Sequence, residues 1–222
     1  LVGSEMCIRD RNVSQEQDKN GEWRLIDSDK DPSVILLHYP SILEDSINYI
    51  PPRVKIEISC LSMDEPTEIR HISSLIGDSF DGEDADAESF VRTVVPTRTF
   101  LEKLFLLAEE FQKEKPRSVR MSRHLYDLEK LMDTEYGIEA LSNRKLYDAI
   151  VEHRKAYYAL KYVNYDLHDP STINFTIPES VIGAWQDDYA DMRRFFIYGE
   201  SLEFDALMNR MEELQKRVKN II

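Results

Sequence analysis

The 222-residue chain is predicted to have an α+β fold, in which a small sheet region precedes a helical C-terminal region. Two observations support this prediction. Short apolar or alternating segments, separated by turn residues, occupy residues 12–95 and are typical of strands. After Pro96, apolar residues recur every three or four positions, as expected for helices packed on a core. We therefore expect a sheet region at 12–95 and a helical region at 96–222.

Residues 1–11, LVGSEMCIRDR, do not fit either region. They lack the basic start, the apolar stretch and the cleavage site of a signal peptide. The segment EMCIRDR resembles the translation of a transposon adapter that is used to prepare sequencing libraries. We interpret residues 1–11 as an artefactual leader, and expect the natural sequence to start near Asn12 without its true beginning.

Composition limits the classes of function. A formal charge of −14 makes long-range attraction to nucleic acid or to an anionic membrane unfavourable, so any nucleic-acid contact needs a local basic patch. If the leader is removed, Cys60 is left without a partner for a disulfide or a zinc site, which favours a reducing cytoplasm. No apolar run is long enough for a membrane helix, so no membrane partner is expected.

Three segments in the first region are predicted strands. Residues 22–26 form a short candidate, and 34–39 form a continuous apolar run expected to be covered on both faces. Residues 53–61, RVKIEISCL, alternate, so one face is predicted to be buried; that face carries Val54, Ile56, Ile58 and Cys60. The acidic stretch 77–89 is predicted to be a loop, and a short strand is expected at 91–95.

Helices are predicted from Pro96 onward. Thr99 and Glu102 have the spacing of a capping box, and the helix that follows carries a stripe of Phe100, Leu101, Leu104, Leu107, Ala108 and Phe111. A second helix is predicted at 121–132, with Met121, Leu125, Leu128 and Met132 on its apolar side. Longer helices are expected near 142–162, 179–198 and 202–220.

Lys103 is the first candidate functional residue. The capping box places it in the opening turn of its helix, where unpaired N–H groups and the helix dipole disfavour a bare ammonium but favour an anion. A nucleoside triphosphate would suit such a position. The alternative is an ordinary surface lysine paired with Glu102 or Glu110.

A basic cluster follows in RSVRMSRHLYDLEKLM, where Arg117, Arg120, Arg123 and His124 stand close together in an acidic chain. Arg120, His124 and Asp127 are spaced to share one helical face, which could bind phosphates and place a carboxylate beside them. The alternative is an exposed salt bridge between Arg123 and Asp127.

Glu57 lies in the middle of the polar face of the strand at 53–61. A strand fixes the direction of a carboxylate, and this is a common way to hold a catalytic Mg²⁺. The alternative is an outward-facing glutamate with no special role.

Five segments together resemble the nucleotidyltransferase toxins of the AbiEii/AbiGii abortive-infection family. They are VKIEIS (54–59), PTRTFLEKLFLL (96–107), RMSRHLYDLEKLM (120–132), LYDAIVEHR (146–154) and DDYADMRRFFIYG (187–199). The similarity covers most of the chain after about residue 34. The resemblance implies the remnant of a DNA polymerase beta-like nucleotidyltransferase sheet, followed by a helical region. It also implies Mg²⁺, a nucleoside triphosphate, an RNA acceptor (transfer RNA for some members) or a protein acceptor, and a cognate antitoxin.

The resemblance also assigns roles to residues. Lys103 matches the family's lysine and Asp127 matches the aspartate of a later motif, whereas His124 stands where relatives have an aspartate. Lys103, Arg120, Arg123 and His124 are the expected nucleotide-binding residues. Glu57 would be a third catalytic carboxylate and the metal ligand.

The family's first motif, a glycine-rich turn followed by paired acidic residues, has no counterpart upstream of residue 34. Gly3, Ser4 and Asp10 match it superficially, but Asn12 replaces the second carboxylate, so we interpret the match as chance. We expect the parent protein to be an enzyme and this chain to be inactive. Two alternatives are a noncatalytic acidic helical module that binds a protein such as an antitoxin, and an RNA-binding domain that uses the basic cluster alone.

Overall fold

The computed structural model describes residues 25–28, 31–39, 52–57, 67–80 and 89–221. The chain divides into two units, residues 1–62 and 63–222. Strands come first and helices follow, which confirms the α+β fold class. The predicted leader, Ile58, Cys60 and residues 81–88 of the predicted acidic loop lie outside the described residues.

The first unit contains a three-stranded antiparallel sheet. Its strands are β1 (Leu25–Ser28), β2 (Asp31–His38) and β3 (Arg53–Glu57), in the order β1-β2-β3. The register pairs Leu25 with Leu37 across β1 and β2, and Val34 with Glu57 across β2 and β3. All three strands were predicted from the sequence.

The predicted burial of these strands is wrong. On β3, Val54 is 49% and Ile56 is 44% exposed, so the apolar face of this strand is not buried. On β2, Ile35 is buried, but Leu36 and Leu37 are only half-buried. An alternating or apolar pattern predicts extended backbone, but it does not supply the second layer that would cover the sheet.

The second unit begins with a hairpin that the sequence analysis found only in part. β4 (Thr67–Ile72) was not predicted, and it pairs antiparallel with β5 (Ser89–Val94). Between them lies α1 (Leu75–Ser79), so residues 77–79 of the predicted acidic loop are helical. Arg70 Nη2 donates to the hydroxyl of Tyr136 at 3.1 Å, which ties the hairpin to the helices.

Six further helices follow: α2 (Pro96–Glu110), α3 (Ser122–Leu131), α4 (Glu135–Ser142), α5 (Arg144–His153), α6 (Ile182–Phe195) and α7 (Phe204–Val218). A π-helical turn, Arg154–Tyr158, extends α5. Asn143 caps α5, because its side chain accepts the N–H of Leu146 at 3.0 Å. The long helix predicted near 142–162 therefore begins at Arg144, and its π-helical extension ends at Tyr158.

Helix α2 is central to the packing of this unit, since it contacts α3, α4 and α5, while α3 contacts α6 and α7. The predicted apolar stripes of α2 and α3 are confirmed. Their fully buried members are Phe100, Leu101, Leu104, Leu107, Leu125, Leu128 and Met132. This core fixes the relative position of α2 and α3.

Gly137 marks the closest approach between α4 and the end of α3. A Cβ atom at this position would lie 2.3 Å from the carbonyl oxygen of Leu131 and 2.8 Å from Cα of Met132. These are backbone atoms that cannot turn aside, so the contact requires glycine.

None of the helices in the described ranges is long and apolar enough to cross a bilayer.

Candidate functional site

The start of α2 places Lys103 differently from the prediction. The helix begins at Pro96, with Val95 as N-cap, and Thr99 is inside it rather than capping it. Proline is favoured at a first helical position because its fixed φ suits the helix and its missing N–H is not needed there. Lys103 therefore lies in the middle of α2, and the prediction that it lies in the opening turn is wrong.

Lys103 is instead paired with Asp127 of α3. Lys103 Nζ lies 2.7 Å from Asp127 Oδ2, and the two side chains are 23% and 35% exposed. Lys103 pairs with neither Glu102 nor Glu110, which was the alternative from the sequence. Two of the predicted site residues, 24 positions apart in sequence, thus meet at the surface of the α2–α3 contact.

The N-terminus of α3 is held by a residue that sequence analysis missed. Asp188 of α6 accepts the backbone N–H of Arg120 at 2.5 Å, the backbone N–H of Ser122 at 3.0 Å and the Ser122 hydroxyl at 2.5 Å. A carboxylate at a helix start satisfies unpaired donors and complements the dipole. The sequence contains one sign of this role. Asp188 follows the buried Trp185 by three residues, so it is a carboxylate on the apolar side of α6.

Arg120 does not lie on the predicted helical face. It precedes α3 and adopts φ 57, so the prediction that it shares a face with His124 and Asp127 is wrong. The backbone turns here because Asp188 holds the N–H of Arg120. Arg123 is on α3 and exposed, and the predicted alternative pair does not form, since Asp127 pairs with Lys103.

His124 is 7% exposed and is surrounded by cations. Burial lowers its pKa to about 4; Lys103 and Arg123 lower it as well, while Asp127 acts in the opposite direction. The imidazole is therefore neutral at physiological pH. Three cations, Lys103, Arg123 and Arg117, thus act on His124 against one carboxylate, Asp127.

Arg117 extends this positive region toward the C-terminus of α2. Its Nη2 lies 2.7 Å from Glu110 Oε2, and Lys113 Nζ lies 2.8 Å from the same atom. Burial raises the pKa of Glu110, but the hydrogen bonds from Arg117 and Lys113 outweigh burial and keep it below its usual value. Glu110 is thereby held ionised between two cations.

A second ion-pair cluster on α2 faces α5. Arg154 donates to Glu109 through two nitrogens, Nε to Oε1 at 2.7 Å and Nη2 to Oε2 at 2.5 Å, and it also bonds Glu102. Arg154 and Glu109 are 4% and 3% exposed. Burial raises the pKa of Glu109, yet the bonds from Arg154 outweigh it and the pKa is lowered. This cluster joins α2 to the π-helical turn.

Glu57, the predicted third carboxylate, belongs to the first unit, so its position relative to Lys103 and Asp127 is not described. Its side chain is 63% exposed and its Oε1 lies 2.5 Å from Lys55 Nζ. Within the described ranges, no three His, Cys, Asp or Glu side chains are grouped so that they could hold a metal ion. Mg²⁺ binding by Glu57 therefore stays a prediction from the resemblance.

Comparison with known proteins agrees with the resemblance. Residues 5–210 match the family described as "Nucleotidyl transferase AbiEii toxin, Type IV TA system". No curated protein and no solved structure gave a match. The family match includes both units and the segments that contain Glu57, Lys103 and Asp127. The chain therefore belongs to the AbiEii family of nucleotidyl transferase toxins, which is a family of toxin–antitoxin systems.

Proposed function

We propose that the protein transfers a nucleotidyl group from a nucleoside triphosphate to an RNA acceptor, with Lys103 and Asp127 at the centre of its site. The observation that best supports this is their 2.7 Å ion pair, which joins α2 to α3, the helix that also carries the exposed Arg123. Transfer of phosphate groups depends mainly on positioning and on stabilisation of negative charge. An ammonium held in a fixed direction supplies both.

Each residue of the site has a distinct role in this proposal. Lys103 binds the triphosphate while Asp127 holds its ammonium, because an ammonium has three N–H donors and one bond to Asp127 leaves capacity for phosphate oxygens. Arg123, which is exposed, contacts phosphate or RNA together with Arg120. His124 is neutral and takes part through hydrogen bonding instead of charge.

The proposal also includes an acceptor, a metal ion and a protein partner. RNA is the proposed acceptor, with transfer RNA as a candidate and a protein as the alternative. Mg²⁺ dependence and a metal-binding role of Glu57 rest on the resemblance alone. The toxin–antitoxin character of the family supports a cognate antitoxin as partner.

A noncatalytic module that binds a protein partner is the second candidate. The observation that favours it is the exposed apolar surface of the β4–β5 hairpin, where Ile69 is 61% and Phe90 is 75% exposed. Exposed apolar patches are common at protein interfaces.

The assay that tests the proposal uses the protein expressed from its complete gene. The protein is incubated with each labelled nucleoside triphosphate, Mg²⁺ and total RNA. We expect label in RNA, and a loss of at least about 100-fold in Lys103→Ala and Asp127→Ala, the size seen when one group that stabilises transition-state charge is removed. Lys219→Ala, which removes an exposed lysine after α7, is the matched control and should retain transfer.

Three further arms sharpen the assay. EDTA should abolish transfer, Glu57→Gln should reduce it, and the 222-residue chain should give none. If Lys103→Ala and Asp127→Ala both transfer label at the wild-type rate, the assignment of the site is wrong. Label in protein with none in RNA would make the acceptor a protein, and no label from any nucleotide would favour the noncatalytic module.

A further inference from the structure

The segment that leaves α5 differs in composition from the rest of the chain. Residues 153–165, HRKAYYALKYVNY, contain four tyrosines and three cations with no carboxylate, in a protein of net charge −14. Interleaved aromatic and basic residues are typical of surfaces that bind single-stranded nucleic acid.

Three of the tyrosines in this segment are exposed. Tyr157 is 66%, Tyr158 is 37% and Tyr162 is 45% exposed. The π-helical turn ends at Ala159, which adopts φ 44, and this left-handed residue turns the chain between Tyr158 and Tyr162. We call the exposed rings of Tyr157, Tyr158 and Tyr162 the tyrosine surface.

The rings of the tyrosine surface are held by neighbours on one side. Tyr157 stacks on His153 with ring centroids 4.7 Å apart and an interplanar angle of 26°. The Arg154 guanidinium carbon lies 4.6 Å from the centroid of Tyr158, and Lys113 Nζ lies 5.2 Å from that of Tyr162. Rings that are already ordered lose little conformational entropy when they bind a ligand.

The backbone of the segment is fixed as well. Arg154 is anchored by Glu109 and Glu102 of α2. The N–H of Asn164 donates to Gln112 Oε1 at 2.7 Å, and the N–H of Leu160 donates to the Tyr165 hydroxyl at 3.2 Å. The tyrosine surface is therefore a preformed feature of the fold and not a loose loop.

Charged contacts continue from the tyrosine surface to the C-terminal end of α2. Lys113, over the ring of Tyr162, shares Glu110 with Arg117. The Arg117 side chain is 64% exposed. Lys113 and Arg117 therefore place two cations near the tyrosine surface, and the carboxylate between them is paired with both.

We propose that the tyrosine surface stacks unpaired bases of RNA, while Lys155 and Lys161 contact its phosphates. The assignment of this RNA as the acceptor rests on the proposed function; the binding itself does not. Aromatic rings stack on any base, so the expected ligand is a single strand with little sequence preference. The bases of a duplex are already stacked on one another and cannot stack on tyrosine, so a duplex should bind more weakly.

The test is fluorescence anisotropy with the 222-residue chain and a labelled, unstructured 12-nucleotide RNA, alone or annealed to its complement. We expect tighter binding of the single strand than of the duplex. Tyr157→Ala with Tyr162→Ala should weaken single-strand binding by at least about fivefold, the lower limit for loss of one stacked base. Tyr157→Phe with Tyr162→Phe should retain binding, because stacking needs the ring and not the hydroxyl.

Matched controls test whether RNA binding depends on this surface or on any exposed tyrosine or lysine. Tyr198, which is 99% exposed, is outside the segment, so Tyr198→Ala should bind RNA as wild type does. The double variant Lys155→Ala, Lys161→Ala should make the fall of log affinity with log salt concentration less steep, by about 1 to 2 units. Lys219→Ala should leave this slope unchanged.

The inference is overturned if the alanine pair binds the single strand as tightly as wild type, if the wild-type chain binds no RNA, or if the duplex binds as tightly as the single strand. Protection of Tyr157 and Tyr162 by an antitoxin protein, without RNA binding, would likewise assign the surface to a protein. Because no nucleotide is present, these outcomes do not depend on transfer. Loss of transfer in Lys103→Ala with normal RNA binding supports both proposals.

Discussion

Two of the ion-pair clusters on helix α2 contrast in burial and in the number of their bonds. Glu109 and Arg154 are buried, and Arg154 bonds two carboxylates of α2. Lys103 and Asp127 are partly exposed and make one short contact. Both clusters join α2 to a neighbouring helical segment, but only the second leaves charge accessible to a ligand.

The contrast indicates how the same residue types serve stability in one place and binding in another. A buried pair cannot lose one partner without leaving an uncompensated charge, so it resists change. A half-exposed pair contributes little to stability, because water solvates both ions when they separate. Separating Lys103 from Asp127 should therefore cost the fold little, which the proposed binding of phosphate requires.

The largest expected effect is the loss of stability in Arg154→Met. This change removes both guanidinium bonds from the buried Glu109 carboxylate, and His168 Nε2, 3.7 Å from Glu109 Oε1, does not replace them. The cost should be about 3 to 5 kcal/mol of unfolding free energy. Urea denaturation measures it. Arg144→Met, which removes exposed contacts to Asp148 and Asp169, should cost less than about 1 kcal/mol. Equal costs for the two changes would remove the contrast between buried and exposed pairs.

The second effect is a pH dependence centred on His124. Its pKa falls from 6.5 to about 4 on folding, so the unfolded chain binds the proton first as pH decreases. Stability from this residue is present above pH 6.5 and is lost as pH falls toward 4, by about 2 to 3 kcal/mol. His124→Gln should lack this contribution, so the difference between the two unfolding free energies should change between pH 7 and 4.5. A constant difference between the two proteins would show that His124 is not the source of the pH dependence.

The third effect tests what keeps Asp127 in place. Asp188→Ala removes three hydrogen bonds from the start of α3 and should cost about 1 to 3 kcal/mol, as expected for loss of a strong cap. The neighbouring Asp187 is exposed, so Asp187→Ala is the control, with an expected change within about 0.5 kcal/mol. Thermal unfolding of both variants decides whether the carboxylate at 188 anchors α3.

The smallest effect on stability is expected at the candidate site itself. Lys103→Ala and Asp127→Ala should each change the unfolding free energy by less than about 1 kcal/mol, with a coupling of similar size in the double variant. The measurement is a double-mutant cycle in urea. A cost above about 3 kcal/mol would place this pair with the buried cluster and make it structural.

The helical part of the fold could be predicted because its signal is local. The stripes of α2 and α3 repeat every three or four residues, and Leu104, Leu125 and Leu128 are buried as expected. The strands other than β4 were found for the same reason, but the exposure of Val54 and Ile56 was not predicted, since burial depends on which layer covers a strand.

The candidate site could be predicted only in part. Lys103 and Asp127 were singled out by their place in the sequence pattern and by the family resemblance, while the position of Lys103 was wrong because Pro96, and not Thr99, begins the helix. The partners of Arg154 and Asp188 lie 45 and 66 residues away along the chain, and no local pattern reports contacts at that separation.

The glycine at 137 has a consequence for how this chain can vary. Adding one methyl group there would act as a wedge between the last turn of α3 and the first turn of α4, and would shift the helix that presents Asp127. Homologues that keep these two helices at the same spacing should keep glycine at this position. A homologue with a larger residue should show the two helices farther apart.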